Sequence, residues 1–314
     1  MNTPLFSYHR MLGAKFVEFA GWNMPLSFKG IIEEHNAVRI CCGVFDISHM
    51  GQIETSSLEA IQKLTTNDAS KLEIGQGQYS FLCAQDGGII DDLLIYHLKD
   101  KYLLVVNAIN AEKVFNIISM IDGSSKLLFD FRAAIALQGP KSQEVLQKLT
   151  TFNLSSLKFR RIEAFEVAGE KCLVSRSGYT GEDGFEIFAE IKSIVNIWEA
   201  LMKEKVTPCG LGARDILRIE AGLPLYGHEV DINTSPIEAG FERFVKFGKK
   251  DFHGKDILLK QLQNGIKKKL IGFEMDEKIP PRQGYRIFMG QKDIGIVTSG
   301  TFSPTLGKAI GMDT

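Results

Sequence analysis

Apolar and polar positions alternate between two periods along the chain. Residues 30–43, GIIEEHNAVRICCG, put Ile31, Glu34, His35 and Val38 on one helical face and stop at Gly43. VFDISHMGQIET (44–55) reads as a strand, and SSLEAIQKLTTND (56–68) as a helix capped by Ser56 or Ser57. From Gly77, GQYSFLCAQDGGIIDDLLIYHLKDKYLLVVNA reads as three strands. Its first turn is Gln85-Asp86-Gly87-Gly88, where Asp-Gly supplies the positive φ of a hairpin, and its second is Lys99-Asp100-Lys101. Residues 111–121 form an amphipathic helix with Val114, Ile117, Ile118 and Ile121 on its core face. AAIALQGP (133–140) is a buried strand stopped by Gly-Pro, and a helix follows over 141–149. RSGYTGEDGFEI (176–187) then turns between the strands EKCLVSR and FEIFAE, before a helix over 193–204. Hairpin turns outnumber crossover helices, so the fold class is α+β, not a doubly wound parallel sheet. Beyond NGIKKKLIGFEM (264–275), frequent Gly and Pro with short alternating runs predict a small antiparallel barrel.

Composition narrows the function. The 314 residues carry 37 basic and 38 acidic side chains, a balance that speaks against bulk attraction to nucleic acid or a membrane surface. The longest apolar runs, such as LLIYHL and YLLVV, are strand-sized, and the N-terminus has no signal-peptide core. Five cysteines without a CxxC spacing read as reduced, mostly buried thiols of a cytoplasmic protein.

Few motifs carry chemistry. GQGQYS and GLGARD do not complete a dinucleotide-binding loop, and the scattered histidines have no metal-ligand spacing. GLGARDILRIEAG reads as a loop entering a helix whose N–H groups can hold an anion. Its Arg214 and Arg218 stand four apart, where the ordinary reading is a solvated ion-pair face. His49 is the one histidine in a tight polar setting, SHMG. In GGIIDDLLIY, Asp91 and Asp92 interrupt an apolar strand and point to opposite faces, so one carboxylate faces an interior or a cleft. That carboxylate either caps a turn or accepts a hydrogen bond from a substrate nitrogen. Glu186 shares a strand face with Phe188, and Asn107 ends the apolar strand YLLVV. Acids and an amide among glycines and aromatics suit a flat heterocycle with several N–H donors, such as a pterin or purine.

TPLFSYHRMLGAKFVEFAGWNMP, VFDISHMG, GGIIDDLLIY, VVNA, SGYTGEDGFEI, GLGARDILRIEAG and VTSGTFSPTLGKAIG occur in that order along nearly the whole chain. In these blocks the sequence resembles the tetrahydrofolate-dependent aminomethyltransferases, the T-proteins of the glycine cleavage system. The resemblance implies a three-domain cloverleaf around a central folate cavity. Residues 1–50 and 135–250 would form a discontinuous folate-binding domain, 51–134 a second α+β domain and 265–314 a C-terminal antiparallel β-barrel. That barrel is expected to be incomplete, because the family continues through further strands after GKAIG and this chain ends at GMDT. By the same resemblance Asp92 is the catalytic acid, and Tyr79, Asn107, Tyr179, Glu186 and Arg214 contact folate. Met50 and Leu223 are weaker carry-overs to the pocket. Glu186 would accept paired N–H groups of the pterin, Arg214 would meet a carboxylate of the folate tail, and Glu182-Asp183 would only form the turn.

The implied reaction moves the methylene of an aminomethyl group, carried on the lipoyl arm of the H-protein, to tetrahydrofolate as co-substrate. It yields 5,10-methylenetetrahydrofolate and ammonia, with no metal and no nucleic-acid or membrane partner. A folate-dependent demethylase and a non-catalytic folate-binding factor are the alternatives within the fold. An intact Asp92 and an unbroken GEDGFE favour an enzyme.

Overall fold

The structure is a computed structural model describing residues 1–314. The chain divides into two compact units. The first comprises residues 1–53, 74–77 and 127–217, and the second 54–73, 78–126 and 218–314.

The first unit is built on a six-stranded sheet. Its order is Ile162–Val167, Glu170–Ser175, Gly184–Glu190, Arg132–Gln138, Gly43–Asp46 and Thr207–Cys209. Only the last pairing is parallel. Strand alternation decides what each residue of GFEIFAE does. Phe185, Ile187 and Ala189 enter a core with Val44, Ile135 and Leu137, against which the helix Ile191–Lys203 packs Ile194, Ile197, Trp198 and Leu201. Glu186 is thereby sent to the opposite face. The turn before this strand closes on Gln138, whose Nε2 donates to the Ser177 carbonyl at 3.0 Å while its Oε1 accepts from the Thr180 hydroxyl at 3.0 Å. A Cβ at Gly184 would stand 2.3 Å from Gln138 Nε2, so only glycine lets the strand start there.

One expectation for this unit fails. VFDISHMGQIET is two strands, Gly43–Asp46 and Gly51–Thr55, with a turn between them. Asp46 Oδ1 accepts the Ser48 N–H at 2.9 Å, and the Met50 N–H reaches the Ile47 carbonyl at 3.0 Å. An aspartate that bonds the backbone two residues on competes with the ladder, and here it wins. Asp46 is itself held by His9, whose Nε2 lies 2.9 Å from Oδ2 with both side chains buried.

The strands Gly77–Cys83, Ile89–His97 and Tyr102–Val106, of which all but Gly77 falls in the second unit, follow one another as the pattern predicts. Gly51–Thr55 and Lys126–Leu127 complete this five-stranded sheet. Asp86 Oδ1 accepts the Gly88 N–H at 3.1 Å, and Gly87 takes φ 87°, the conformation expected of the Asp-Gly turn. Ser57, not Ser56, caps the helix Leu58–Leu64, its Oγ accepting the Ala60 N–H at 3.1 Å. The helix expected over 111–121 ends at Ser119, and Ile121 is partly exposed instead of facing the core. Phe81, Ile89, Val230, Ile237, Phe244, Phe252 and Leu258 form an apolar cluster. The C-terminal strands Ile271–Glu274, Lys308–Asp313, Lys292–Ser303 and Arg286–Met289 make an open antiparallel sheet in that order, not a closed barrel. No helix is long and apolar enough to cross a membrane.

Candidate functional site

The second unit gathers its polar chemistry at two adjacent carboxylates. Strand pleating separates Asp91 and Asp92 on Ile89–His97: Asp91 is fully buried and Asp92 half-buried. Asp92 is held by both oxygens. The Tyr79 hydroxyl donates to Oδ2 at 2.8 Å, and Asn107 Nδ2 donates to Oδ1 at 2.8 Å. Asp91 receives only N–H groups. Asn107 Nδ2 and Asn110 Nδ2 reach Oδ1 at 3.0 and 2.7 Å, and the Asn107 backbone N–H reaches Oδ2 at 3.1 Å. Burial, and then the charge of Asp92, push Asp91 well above the usual carboxylate range. Burial raises Asp92 as well, against the opposing pull of its Tyr79 and Asn107 donors. The result is a carboxylate poised to accept a proton at higher pH than a solvated aspartate would.

Tyr79 owes its aim to packing. Its ring meets Phe81 and Phe244 edge-on, each with centroids 5.0 Å apart, which leaves the hydroxyl to turn toward Asp92. Asn107 is placed by the turn that ends Tyr102–Val106 and precedes the short 3₁₀ turn Ala108–Asn110. The structure thus brings together Tyr79, Asp92 and Asn107, and adds Asn110, which sequence reasoning passed over. Its signal was the second asparagine of NAIN.

The first unit holds a different constellation. Glu186 is 6% exposed, and Ser177 Oγ donates to its Oε2 at 2.6 Å. Burial raises Glu186, while Ser177 and the charge of Arg214 pull it back down. The Arg214 guanidinium lies over the Tyr179 ring at 4.7 Å from its centroid, and its buried Nη1 has no hydrogen-bond partner. Burial and the Arg214 charge together depress His49 to about 4, so its imidazole is neutral, and its buried Nδ1 is likewise unpartnered. A buried acid with spare acceptor capacity, an aromatic ring and an unsatisfied guanidinium N–H suit a flat ligand that carries both N–H donors and acceptor oxygens. Tyr179, Glu186 and Arg214 therefore fall together, with Ser177 and His49 beside them.

Met50 follows His49 in the turn after Asp46 and is half-buried. Leu223 stands in the second unit, where its N–H donates to the Arg218 carbonyl at 2.9 Å and its carbonyl accepts from Arg218 Nη1 at 3.3 Å. The solvated face expected of Arg214 and Arg218 is absent. Arg218 is 1% exposed and donates to Glu229 Oε2 and Ser299 Oγ, each at 2.6 Å. Glu182 and Asp183 do more than form the turn, since they pair with Arg39 at 2.9 Å and Arg176 at 2.6 Å.

Residues 5–249 match the GCVT N-terminal domain, and residues 268–312 the glycine cleavage T-protein C-terminal barrel domain. The chain belongs to the glycine cleavage T-protein family. Its relatives include the aminomethyltransferase of Thermoanaerobacter pseudethanolicus, 49% identical over 99% of this chain and 88% of that protein. That of Alkaliphilus oremlandii is 47% identical with the same coverage. The crystal structure of the glycine cleavage system aminomethyltransferase T from Bartonella henselae is 36% identical. It covers 100% of this chain and 89% of its own, with a TM-score of 0.93. The α+β T-protein fold expected from the sequence blocks is thus shared along the whole chain.

Proposed function

We propose that the protein is a tetrahydrofolate-dependent aminomethyltransferase of the glycine cleavage system, acting on an aminomethylated lipoyl carrier protein. The observation that carries this reading is Asp92, a carboxylate raised by burial and fixed at both oxygens by Tyr79 and Asn107. Tetrahydrofolate supplies the nucleophilic N5 and N10 amines. Asp92 accepts an N–H proton released as carbon–nitrogen bonds form, and it stabilises positive charge on the amine while that proton is still held. Tyr79 and Asn107 keep its two oxygens in place, so no reorganisation is needed at the moment of transfer.

Glu186 takes the N–H groups of the pterin edge, and Ser177 fixes its rotation. Arg214 favours the ionised form of Glu186, stacks on Tyr179 and offers Nη1 to an acceptor oxygen of the ligand. Met50 and Leu223 contribute apolar contacts. The reaction balances with two N–H protons leaving the folate nitrogens, one carried off in ammonia and one on the lipoyl thiol. All five cysteines are free, and four of them are buried, as suits a reducing compartment such as the cytoplasm.

The test is ammonia release from aminomethylated lipoyl carrier, measured with and without tetrahydrofolate. Release that requires both substrates is expected. No folate-dependent release by the wild-type protein would contradict the reading, and transfer from a small methylated substrate in its place would identify a demethylase.

A further inference from the structure

Asn107 Nδ2 lies within hydrogen-bond distance of three oxygens: Asp91 Oδ1 at 3.0 Å, the Asp92 carbonyl at 3.0 Å and Asp92 Oδ1 at 2.8 Å. An amide nitrogen has only two hydrogens, set about 120° apart in the amide plane. Which oxygens they reach therefore depends on what fixes the amide. The group that does so is Asp91. It takes the Asn107 backbone N–H at 3.1 Å as well as its side-chain N–H, and it takes Asn110 Nδ2 at 2.7 Å. Every donor to Asp91 thus comes from residues 107–110, the turn that follows Tyr102–Val106. Asp91 is fully buried, and the oxygen it turns to this amide, Oδ1, serves as an acceptor for the Asn107 and Asn110 side chains alike, which draws Nδ2 inward and turns Asn107 Oδ1 away.

We propose that Asp91 is a positioning residue for the transfer reaction: it locks the orientation of the Asn107 amide and thereby aims one N–H at Asp92. Asp91 touches no reacting atom. Its partners Asn107, Asn110 and Asp92, with the nearby Tyr226, make up the polar surroundings through which it acts. An asparagine in its place would have one oxygen and one NH₂ to offer, so a donor would meet a donor at Asn107 and the lock would open.

The inference rests on the aminomethyltransferase reading for its kinetic arm alone. The structural arm uses protein labelled with ¹⁵N-asparagine, in which the Asn107 side-chain signal is identified by its loss in Asn107→Ala. Its two amide protons exchange slowly with solvent in the wild type. In Asp91→Asn they exchange at least about tenfold faster while asparagines outside 107–110 are unmoved. Unchanged exchange would overturn the proposal whether or not the protein proves to be an aminomethyltransferase. In the kinetic arm, Asp91→Asn lowers kcat at least about tenfold with an unchanged KM for tetrahydrofolate. Combined with Asn107→Ala, it costs no more than about twofold beyond Asn107→Ala alone. Multiplicative losses, or a kcat that stays at the wild-type value, would refute the lock. Should Asp91→Asn not fold, Asn110→Ala removes one donor to Asp91, and faster exchange of the Asn107 amide is the required outcome.

Discussion

The hydroxyl of Tyr79 donates to Oδ2 of Asp92 at 2.8 Å. A donor to a carboxylate favours its charged form, and this one holds Asp92 down against the burial that raises it. Tyr79→Phe removes the donor and leaves the ring packing, so Asp92 titrates at higher pH. A base must be ionised to work. The acidic limb of the kcat/KM profile for transfer therefore moves to higher pH in Tyr79→Phe, with the loss of activity greatest on the acid side. A limb that stays in place would separate Tyr79 from the titration of Asp92.

Asp92→Asn trades activity for stability. The raised folded-state pKa means that the folded protein holds this proton more tightly than the unfolded chain does. The ionised form is thus a burden once the pH passes the folded pKa. The amide that replaces the carboxylate can still accept from Asn107 and donate to the Tyr79 oxygen. Urea unfolding at pH 7.5 is expected to show a gain of about 1 kcal/mol.

The two carboxylates near the Gly-rich turn divide by their surroundings. Glu186 is buried with Ser177 as donor, whereas Glu182 pairs with Arg39 in a partly exposed bridge. Glu186→Ala weakens tetrahydrofolate binding by about a hundredfold, the scale of a lost charge-assisted contact. Glu182→Ala changes it by less than about threefold. Titration calorimetry decides, and equal effects would mean that the pterin contact lies elsewhere.

His49 predicts an acid sensitivity. Its folded pKa of about 4 lies below the ordinary 6.5. The unfolded state therefore binds the proton first, and stability drains away as the pH falls from 6.5 toward 4. At pH 5 this contribution amounts to about 2 kcal/mol, and His49→Gln should remove it. Comparing urea midpoints at pH 7.5 and pH 5 for both proteins measures the difference directly.

Arg218 and Glu229 form a fully buried pair. Arg218→Met strands the Glu229 carboxylate beside Leu225 N–H and Thr298 Oγ1 and is expected to cost about 3–5 kcal/mol in urea unfolding. Arg218→Met with Glu229→Gln should recover part of that loss, because the neutral amide no longer needs a counter-charge.

Period and turn chemistry made much of the fold legible. The Asp-Gly turn, the three strands that follow Gly77, the Ser57 cap and the alternation in GFEIFAE all depend on residues near one another in sequence. The same alternation exposed Asp91, Asp92 and Glu186 as acids in apolar strands. Other features lie beyond local pattern. The break in VFDISHMGQIET comes from Asp46 bonding Ser48, an Asp46 held in turn by His9, 37 residues away. Arg218 looked solvated because its partners Glu229 and Ser299 lie 11 and 81 residues further on. Asn110 and Ser177 were missed for a related reason: a small polar residue in a loop gives no sign of the carboxylate it serves until the strands are paired.

The most direct measurement is single-turnover transfer from aminomethylated lipoyl carrier to tetrahydrofolate by the wild type and by Asp92→Asn, with folate affinity determined on the same samples. The expected result is rapid formation of 5,10-methylenetetrahydrofolate and ammonia by the wild type. Asp92→Asn should bind tetrahydrofolate within about threefold of the wild type yet transfer at least about a hundredfold more slowly. Undiminished transfer by the folded, folate-bound variant would contradict the assignment of Asp92 as the proton-accepting group.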